Sequence, residues 1–239
     1  MVKSENKRIL LKLSGESLMG SESYGIELDV IDKIANDIKN LRENKIQICI
    51  VIGGGNIFRG LAASAKGMER ANADYIGMLA TVMNSLGLQN GLEKLSLETR
   101  VMSAFPIQSI CETYIRRRAI RHMEKGRIVI CAAGTGNPYF STDTAAALRA
   151  AELECDCIFK ATQVDGIYDK DPKKYNDAKE VKKISYDNYL ASNLQIMDSS
   201  AVAVARENNI PIKVFSIKEK NAFVRALNNE IKNSEICNV

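Results

Sequence analysis

Short apolar runs alternate with helical stripes along the whole chain. The apolar runs have the composition of strands buried on both faces, and they cover 9–13, 46–52, 100–103, 128–132, 157–161 and 212–217. Between them, apolar residues recur at helical spacing within 28–41, 76–86 and 223–231. This alternation favours a mainly parallel sheet with helices on both faces. We expect the Leu, Ile and Met residues of the helical stripes to belong to the core.

Length and charge indicate a single folded domain that is only mildly basic. The chain has 239 residues, of which 46% are hydrophobic, and this is enough for a sizeable core. No linker, low-complexity tract or fixed-period repeat interrupts the sequence, so we expect one domain over 1–239. The net charge is only +4. The basic run 116–118 with Arg121 fits a solvated helix face better than a nucleic-acid site, because no second basic cluster joins it.

The positions of the cysteines and the composition of the first residues indicate the cellular compartment. The start lacks the long apolar segment of a signal peptide, and no uncharged apolar run reaches the roughly 18 residues of a membrane span. Cys49 and Cys131 fall in predicted buried strands, which is typical of reduced, intracellular cysteines. We therefore expect a cytoplasmic protein with no membrane partner. Cys155 and Cys157 are too close together for the usual zinc pairs.

The loop 134–143, Gly-Thr-Gly-Asn-Pro-Tyr-Phe-Ser-Thr-Asp, carries the strongest chemical signal. It lies between a predicted strand and an alanine-rich helix. Its glycines let the backbone approach an anion, and Ser141 and Thr142 can cap the helix. The N–H groups at a helix N-terminus suit phosphate. Asp143 would repel that phosphate unless a cation or a metal ion lies beside it.

Two other strand ends carry cations and glycines, and in parallel sheets ligands bind at these ends. Lys12 leaves the first strand before Ser14 and could reach an anion. Taken alone, this segment is more simply an edge lysine before a turn. The glycine run 53–55 suggests a backbone shape that other residues cannot adopt, and with Arg59 it favours a phosphate nest over a flexible turn. Its spacing matches neither the dinucleotide fingerprint nor the P-loop.

The acidic residues near helix starts allow two roles each. Asp74, which we expect to open a helix, could complement the helix dipole or accept hydrogen bonds from ribose hydroxyls. Asp198 could cap the helix predicted over 201–208, or align lysines around a phosphate. His122, which the pattern exposes on a basic helix, has no obvious Ser or Cys partner, so we do not expect a catalytic histidine.

The segment 160–172 contains the turn signal Asp-Gly and ends at a proline. Tyr168 could stack on a base, while Thr162 and Gln163 could contact the edge of the base or the ribose. A plain ordered loop with a half-buried tyrosine is the simpler interpretation of this segment by itself.

Together these segments resemble the bacterial UMP kinases of the amino acid kinase superfamily. The matching motifs occur in family order at 12–16, 53–60, 134–143, 160–168 and 197–198, and the similarity runs from about residue 8 to residue 223. The resemblance implies an α/β protein with the amino acid kinase fold, a three-layer αβα sandwich around a mainly parallel sheet. It also implies transfer of the γ-phosphoryl of ATP to UMP, with Mg²⁺, in pyrimidine nucleotide (CTP) biosynthesis.

The same resemblance assigns roles to individual residues. The ATP site would comprise Lys12, Leu13, Ser14, Gly15, Gly55, Arg59, Thr162, Gln163, Tyr168 and Asp171. The UMP site would comprise Gly54, Asp74, Thr135, Gly136, Asn137, Pro138, Tyr139, Phe140, Ser141 and Thr142. Catalysis would depend on Lys12, Arg59, Asp143 and Asp198, with the two aspartates organising the lysines and the metal.

Regulation and assembly also follow from the resemblance. The family is usually a homohexamer that GTP activates and UTP inhibits. The place of its GTP-responsive loop is taken by Gly20, Ser21, Glu22, Ser23, Tyr24 and Gly25. Relatives often carry two phenylalanines and a threonine at 139–141, and Lys or Asn at Gln163. These departures concern the fine contacts with UMP and ATP rather than the reaction.

Other functions remain open at this point. A superfamily kinase that acts on a carboxylate or a carbamate is disfavoured by the 134–143 loop and by the absence of an added regulatory domain. A non-catalytic nucleotide sensor would bind ATP or UTP without forming UDP, and the presence of Lys12, Arg59, Asp143 and Asp198 argues against it.

Overall fold

The computed structural model describes residues 7–60, 64, 67–170, 174–175, 177–192 and 194–238. A nine-stranded sheet runs through this part of the chain in the order β4-β3-β5-β2-β1-β6-β10-β11-β9. Its strands are β1 (Arg8–Leu13), β2 (Gln47–Ile52), β3 (Thr99–Ser103), β4 (Glu112–Thr113), β5 (Ile128–Ala132), β6 (Cys157–Thr162), β9 (Lys183–Ser185), β10 (Ile212–Ser216) and β11 (Asn233–Cys237). A separate ribbon joins β7 (Ile167–Tyr168) and β8 (Glu180–Val181).

Helices cover both faces of the sheet and bury its alternating side chains in two apolar layers. One face carries α1 (Leu28–Glu43), α2 (Arg70–Lys94) and α7 (Ala222–Leu227). The other carries α3 (Arg116–Glu124), α4 (Thr142–Glu152), α5 (Tyr186–Ala191) and α6 (Ser199–Glu207). A short 3₁₀ helix (Gly15–Leu18) follows β1. The predicted three-layer α/β sandwich and its main strands are therefore confirmed.

Strand direction decides where a site can form. The central strand β1 lies parallel to β2 on one side and to β6 on the other. β5, β3 and β10 continue the parallel arrangement, whereas β11 runs antiparallel to β10. The loops after β1, β2, β5, β6 and β10 therefore leave from the same edge of the sheet. The chain crosses from one side of β1 to the other between β5 and β6, which makes this edge a natural binding crevice.

The C-terminal helical stripe was predicted too long. α7 ends at Leu227, and Asn229 adopts a left-handed φ of 58°. The N–H of Glu230 donates to the carbonyl of Arg225 and closes the helix end. Ile231 is still buried, but it reaches the core from the turn before β11 rather than from a helix.

The helix α2 contradicts the expectation that its whole apolar stripe is core. Ala80 is buried, but Ile76, Leu79 and Met83 are 39%, 49% and 54% exposed. Tyr75, at 45%, extends the same surface. The helix is apolar around most of its circumference, so spacing alone could not identify its buried side. We call these four residues the open face of α2.

The basic run on α3 forms exposed ion pairs rather than a free cationic patch. Arg116 pairs with Glu154, and Arg118 and Arg121 lie 3.7 and 3.6 Å from glutamates 112 and 124. The four arginines are exposed, as the solvated-face interpretation expects. His122 is not exposed as predicted, because its side chain is only 12% accessible between Glu112 and an arginine.

Within the described residues, no helix combines the length and the apolar character needed to cross a membrane.

Candidate active site

Two lysines occupy equivalent places on neighbouring strands. Lys12 of β1 and Lys160 of β6 are direct partners in the parallel register, so their side chains leave the same face of the sheet. Each lies between buried apolar residues of its strand, and each is only 8% exposed. Buried ammonium groups this close repel each other strongly, and the arrangement requires an anion between them.

Asp143 provides that anion from the helix packed over this face. α4 begins at Thr142 because Ser141 caps it, accepting hydrogen bonds from the N–H groups of Asp143 (3.1 Å) and Thr144 (3.3 Å). Oδ1 of Asp143 lies 2.7 Å from Lys12 Nζ, and Oδ2 accepts a hydrogen bond from Lys160 Nζ. One carboxylate therefore bridges both ammonium groups.

Burial and charge shift the pKa values of Asp143 and Lys160 in opposite directions. Burial alone would raise the pKa of Asp143, but the ammonium groups of Lys12 and Lys160 lower that pKa to about 2. Burial lowers the pKa of Lys160 to about 8, although the Asp143 carboxylate acts in the other direction. With both lysines protonated, two positive charges and one negative charge leave the trio cationic, which suits a phosphate.

Helix α2 holds the loop after β5 in a strained shape. Ala133 and Tyr139 have left-handed φ values of 62° and 71°, which are costly for residues other than glycine. The N–H of Ala133 donates to Thr81 Oγ1, and the N–H of Tyr139 donates to Asp74 Oδ2, both at 2.8 Å. Two side chains of one helix thereby fix both ends of the loop.

Asp74 lies in the second turn of α2, which begins at Arg70, and does not open the helix as expected. Its Oδ2 also accepts a hydrogen bond from Arg70 Nε at 2.7 Å. Among the described residues, no hydrogen bond reaches Oδ1 of Asp74, and this oxygen is available to a ligand.

Packing accounts for Gly53 and Gly54 of the glycine run, whereas a Cβ on Gly55 would meet no atom within 4 Å. None of 53–55 has a positive φ, so the expected special backbone shape is wrong. A Cβ on Gly54 would lie 2.7 Å from the carbonyl oxygen of Gly77 in α2. A Cβ on Gly15 would lie 2.5 Å from Asn56 Oδ1. The loops after β1 and β2 therefore touch backbone to backbone, and α2 closes over them.

A buried pair of amides supports this contact. Asn56 and Asn84 exchange hydrogen bonds of 2.9 and 2.7 Å, and Asn84 Nδ2 also donates to the carbonyl of Gly53 at 2.7 Å. Asn56 Nδ2 donates to the carbonyl of Gly25 at 2.7 Å, and the backbone carbonyl of Asn56 accepts from the Gly25 N–H. The segment 20–25 is thus connected through one asparagine to the glycine loop.

A cavity of about 750 Å³ opens beside these groups. The predicted UMP-site residues that line it are Gly54, Asp74, Thr135, Tyr139, Phe140, Ser141 and Thr142. Gly136, Asn137 and Pro138 form the outer turn and are not among the lining residues. From the predicted ATP and catalytic sets, the cavity includes Gly55, Arg59 and Asp198.

The predicted cations and acids do not all meet in one contact. Arg59 is exposed at the rim, where it pairs with Glu16. Asp198 is also exposed, and its side chain makes no capping hydrogen bond, so the capping role is not observed. The residue before it is fixed, because Tyr189 Oη bonds both the N–H (2.7 Å) and the carbonyl (3.0 Å) of Met197.

The residues predicted to bind the ATP nucleoside lie on the β6 side of β1, whereas the glycine loop follows β2 on the opposite side. Thr162 ends β6, Gln163 follows it, and Tyr168 lies on β7. The ATP phosphate residues Leu13, Ser14 and Gly15 lie between the two sides, at the end of β1. Asp171 lies outside the described residues.

Sequence reasoning missed three residues of this site. Lys160 was named only as the start of a loop motif, although a lone lysine inside an apolar strand was a usable signal. Arg70 and Thr81 line the cavity. Thr81 accepts a hydrogen bond from the N–H of Ala133, and Arg70 donates to Asp74, which holds the other end of the loop. Nothing in the helical pattern of α2 distinguished these two residues from ordinary surface and core positions.

Among the described residues, the acidic side chains do not build a resident metal site. In the part of the chain that the structure describes, no three His, Cys, Asp or Glu side chains cluster as metal ligands. Asp143 is already occupied by two ammonium groups, while Asp198 is exposed on the cavity. This donor set fits a Mg²⁺ ion that arrives bound to nucleotide phosphates, since such an ion needs few protein carboxylates.

Comparison with known proteins identifies relatives over nearly the whole chain. The model of the amino acid kinase family matches residues 7–216. A uridylate kinase of Zymomonas mobilis is 56% identical, with 97% of this chain and 96% of that protein covered. A uridylate kinase of Rickettsia conorii is 59% identical over 92% of this chain and 91% of that protein. The crystal structure of UMP kinase from Ureaplasma parvum superposes with a TM-score of 0.92 at 38% identity, covering 97% of this chain and 99% of that one.

The buried amide pair leads to a stability prediction. Asn84→Ala leaves the Gly53 carbonyl and Asn56 Oδ1 without a donor, whereas Asn56 Nδ2 keeps its bond to the Gly25 carbonyl. Because each buried unpaired polar group costs about 1–3 kcal/mol, we expect the free energy of unfolding to fall by about 2–4 kcal/mol in urea denaturation. The exposed Asn90 of the same helix provides the control variant Asn90→Ala. Equal stability of the two variants would contradict the role given to the pair.

Proposed function

The chain belongs to the amino acid kinase family and, within it, to the uridylate kinases, and we propose that it transfers the γ-phosphoryl group of ATP to UMP, giving UDP and ADP. The observation that carries this proposal is the pair of in-register lysines bridged by Asp143. This cationic trio stands between the loops on the two sides of β1, where a donor and an acceptor phosphate can meet.

The acceptor side has the groups that a nucleoside monophosphate needs. The positive end of the α4 dipole, together with those N–H groups of the 134–142 loop that no side chain accepts, would bind the UMP phosphate. The unoccupied Oδ1 of Asp74 can accept a hydrogen bond from a ribose hydroxyl. The aromatic rings of Tyr139 and Phe140, 68% and 54% exposed, stand at the cavity for contact with the nucleoside. We place UMP in the cavity on these grounds.

The donor side is built around the turn after β1. Ser14 and Gly15 follow directly on the strand that carries Lys12, and Gly55 and Arg59 lie in the loop after β2 and line the cavity. We place the ATP phosphates here and the ATP nucleoside against Thr162, Gln163 and Tyr168, with Asp171 as a further member.

The chemistry requires charge neutralisation more than covalent catalysis. Lys12 and Lys160 stabilise negative charge as the phosphoryl group moves, and Asp143 keeps both ammonium groups in place. Mg²⁺ bound to ATP would neutralise further phosphate charge; Asp198, which lines the cavity, would help to hold it, while Asp143 organises the two lysines. Arg59 can turn from Glu16 to the phosphates because both side chains are exposed.

Assembly and regulation form the finer part of the proposal. The open face of α2 supports a homo-oligomer, since an apolar face on one long helix is expected to be covered by a second copy. We propose a homohexamer, activated by GTP and inhibited by UTP, that serves pyrimidine nucleotide biosynthesis. Because Asn56 of the glycine loop hydrogen-bonds Gly25, a change in the segment 20–25 would be transmitted to that loop.

The reaction is tested by ADP release coupled to a detection enzyme, with UMP, CMP and dUMP as acceptors, with and without GTP or UTP. We expect UMP to be the best acceptor and Lys12→Ala to lower kcat by about 100-fold or more, because a key electrostatic group is lost. Lys7→Ala, at an exposed lysine just before β1, should keep normal turnover. Near-normal turnover of a folded Lys12→Ala protein would refute the assignment.

The depressed pKa of Lys160 predicts a pH dependence. The ammonium form prevails below about pH 8 and is lost above it, so kcat/KM for ATP should fall as the pH rises through about 8. Bound phosphates favour the ammonium form, so the corresponding fall in kcat should lie at higher pH. Lys160→Arg keeps its charge and should move the fall in kcat/KM upward, whatever the ionisation of the substrates. An identical profile in that variant would rule out Lys160 as the titrating group.

The oligomer is tested on the open face of α2. Leu79→Glu places a charge in the centre of this face and should reduce the particle mass measured by light scattering. The parent protein should behave as six chains of 26.4 kDa. Asn90→Glu, which adds the same charge at an exposed polar position of α2, should leave the mass unchanged. A parent protein that runs as a single chain would exclude the proposal.

A further inference from the structure

A lysine near the end of the chain reaches the loop that follows β6. Lys232, just before β11, donates from Nζ to Asp165 Oδ2 and to Tyr168 Oη, both at 2.8 Å. Tyr168 Oη donates in turn to Asp165 Oδ1 at 2.7 Å. These contacts form a closed triangle around one phenol hydroxyl. Glu180 adds a carboxylate 3.7 Å from the same ammonium group.

The backbone of this loop is fixed by the same C-terminal segment. The N–H of Ile167 donates to the buried Ser234 Oγ at 2.8 Å. A Cβ on Gly166 would lie 2.8 Å from that oxygen, so the strand and the loop are in close contact. Ser234 itself is held in the sheet, where it pairs with Val214 of β10. The loop is therefore attached to a rigid strand through both backbone and side chain.

These contacts restrict the Tyr168 ring at both ends. The backbone at 167–168 sets the position of its Cα, and the triangle sets the position of its hydroxyl. With both ends fixed, the position and the long axis of the ring are fixed as well. Lys232 acts on the ring through its hydroxyl.

We propose that Lys232 is a positioning residue for ATP: it orients the Tyr168 ring against the ATP nucleoside without touching the nucleotide. This inference rests on the proposed function and deepens its donor side. The hydrogen bonds of Lys232, chiefly with Asp165, raise the pKa of this lysine, so the ammonium form persists at any pH the enzyme meets. Because the lysine is exposed and such pairs are weak, the expected effect on ATP binding is small but specific.

The inference is tested by steady-state kinetics of Lys232→Met, which keeps an unbranched side chain but loses the charge. We expect KM for ATP to rise by up to about fivefold, with kcat and KM for UMP unchanged. Lys232→Arg should restore most of the affinity for ATP. Lys182→Met, at an exposed lysine near the same sheet edge, should behave like the parent protein. An unchanged KM for ATP, or an equal rise in both KM values, would overturn the inference.

Tyr168→Phe provides an independent arm, since it removes only the hydroxyl. It should raise KM for ATP as Lys232→Met does, and the double variant should show no further rise, because both changes break the same triangle. Additive effects would contradict the mechanism.

Calorimetric titration with ATP separates the two proposals. A parent protein that binds ATP but forms no UDP would end the proposed reaction, while weaker ATP binding by Lys232→Met would still support the positioning role. Equal binding by the two proteins would refute that role.

Discussion

The site depends on the bridge that one buried carboxylate makes between two buried ammonium groups. Lys12 and Lys160 are placed side by side by the register of β1 and β6, and neither strand could bury its lysine there without Asp143. Removing one partner of such a group leaves an uncompensated charge, which is strongly destabilising. The cap at Ser141, which sets where α4 begins, therefore also sets the electrostatics of the site. A structural requirement of the sheet and a chemical requirement of phosphoryl transfer coincide in these three residues.

Helix α2 connects the remaining parts of the molecule. Its buried side provides Asn84 to the glycine loop, and its cavity side provides Asp74 and Thr81 to the strained loop after β5. Its third side is the open face that we assign to a second copy of the chain. A shift of this helix on assembly would move the supports of both substrate loops together.

Much of the fold could be predicted from the sequence because parallel strands buried on both faces have an unmistakable composition. The six principal strands, α1 and the cap of α4 follow from local pattern and capping chemistry. The end of α7 and the strand β11 did not, because a left-handed Asn229 redirects an apolar stripe that is otherwise helical. The open face of α2 was misjudged because an apolar stripe has the same spacing whether a core or another chain covers it.

The candidate site was predictable as a set of loops but not as a set of contacts. Strand order brings the loops together, and that order is a long-range property with no local signature. Lys160 became visible as the partner of Lys12 only through the register of two strands that are far apart in sequence. Lys232 lies outside every motif that pointed to nucleotide binding, and only the path of β11 brings it to Tyr168.

The bridge is tested most directly by NMR titration of the Lys160 side-chain nitrogen in the substrate-free protein. Burial against a single compensating carboxylate predicts a pKa of about 8, well below the ordinary lysine value, and a further decrease in Asp143→Asn. An ordinary lysine pKa that is insensitive to this substitution would show that the two lysines and Asp143 do not form one electrostatic unit.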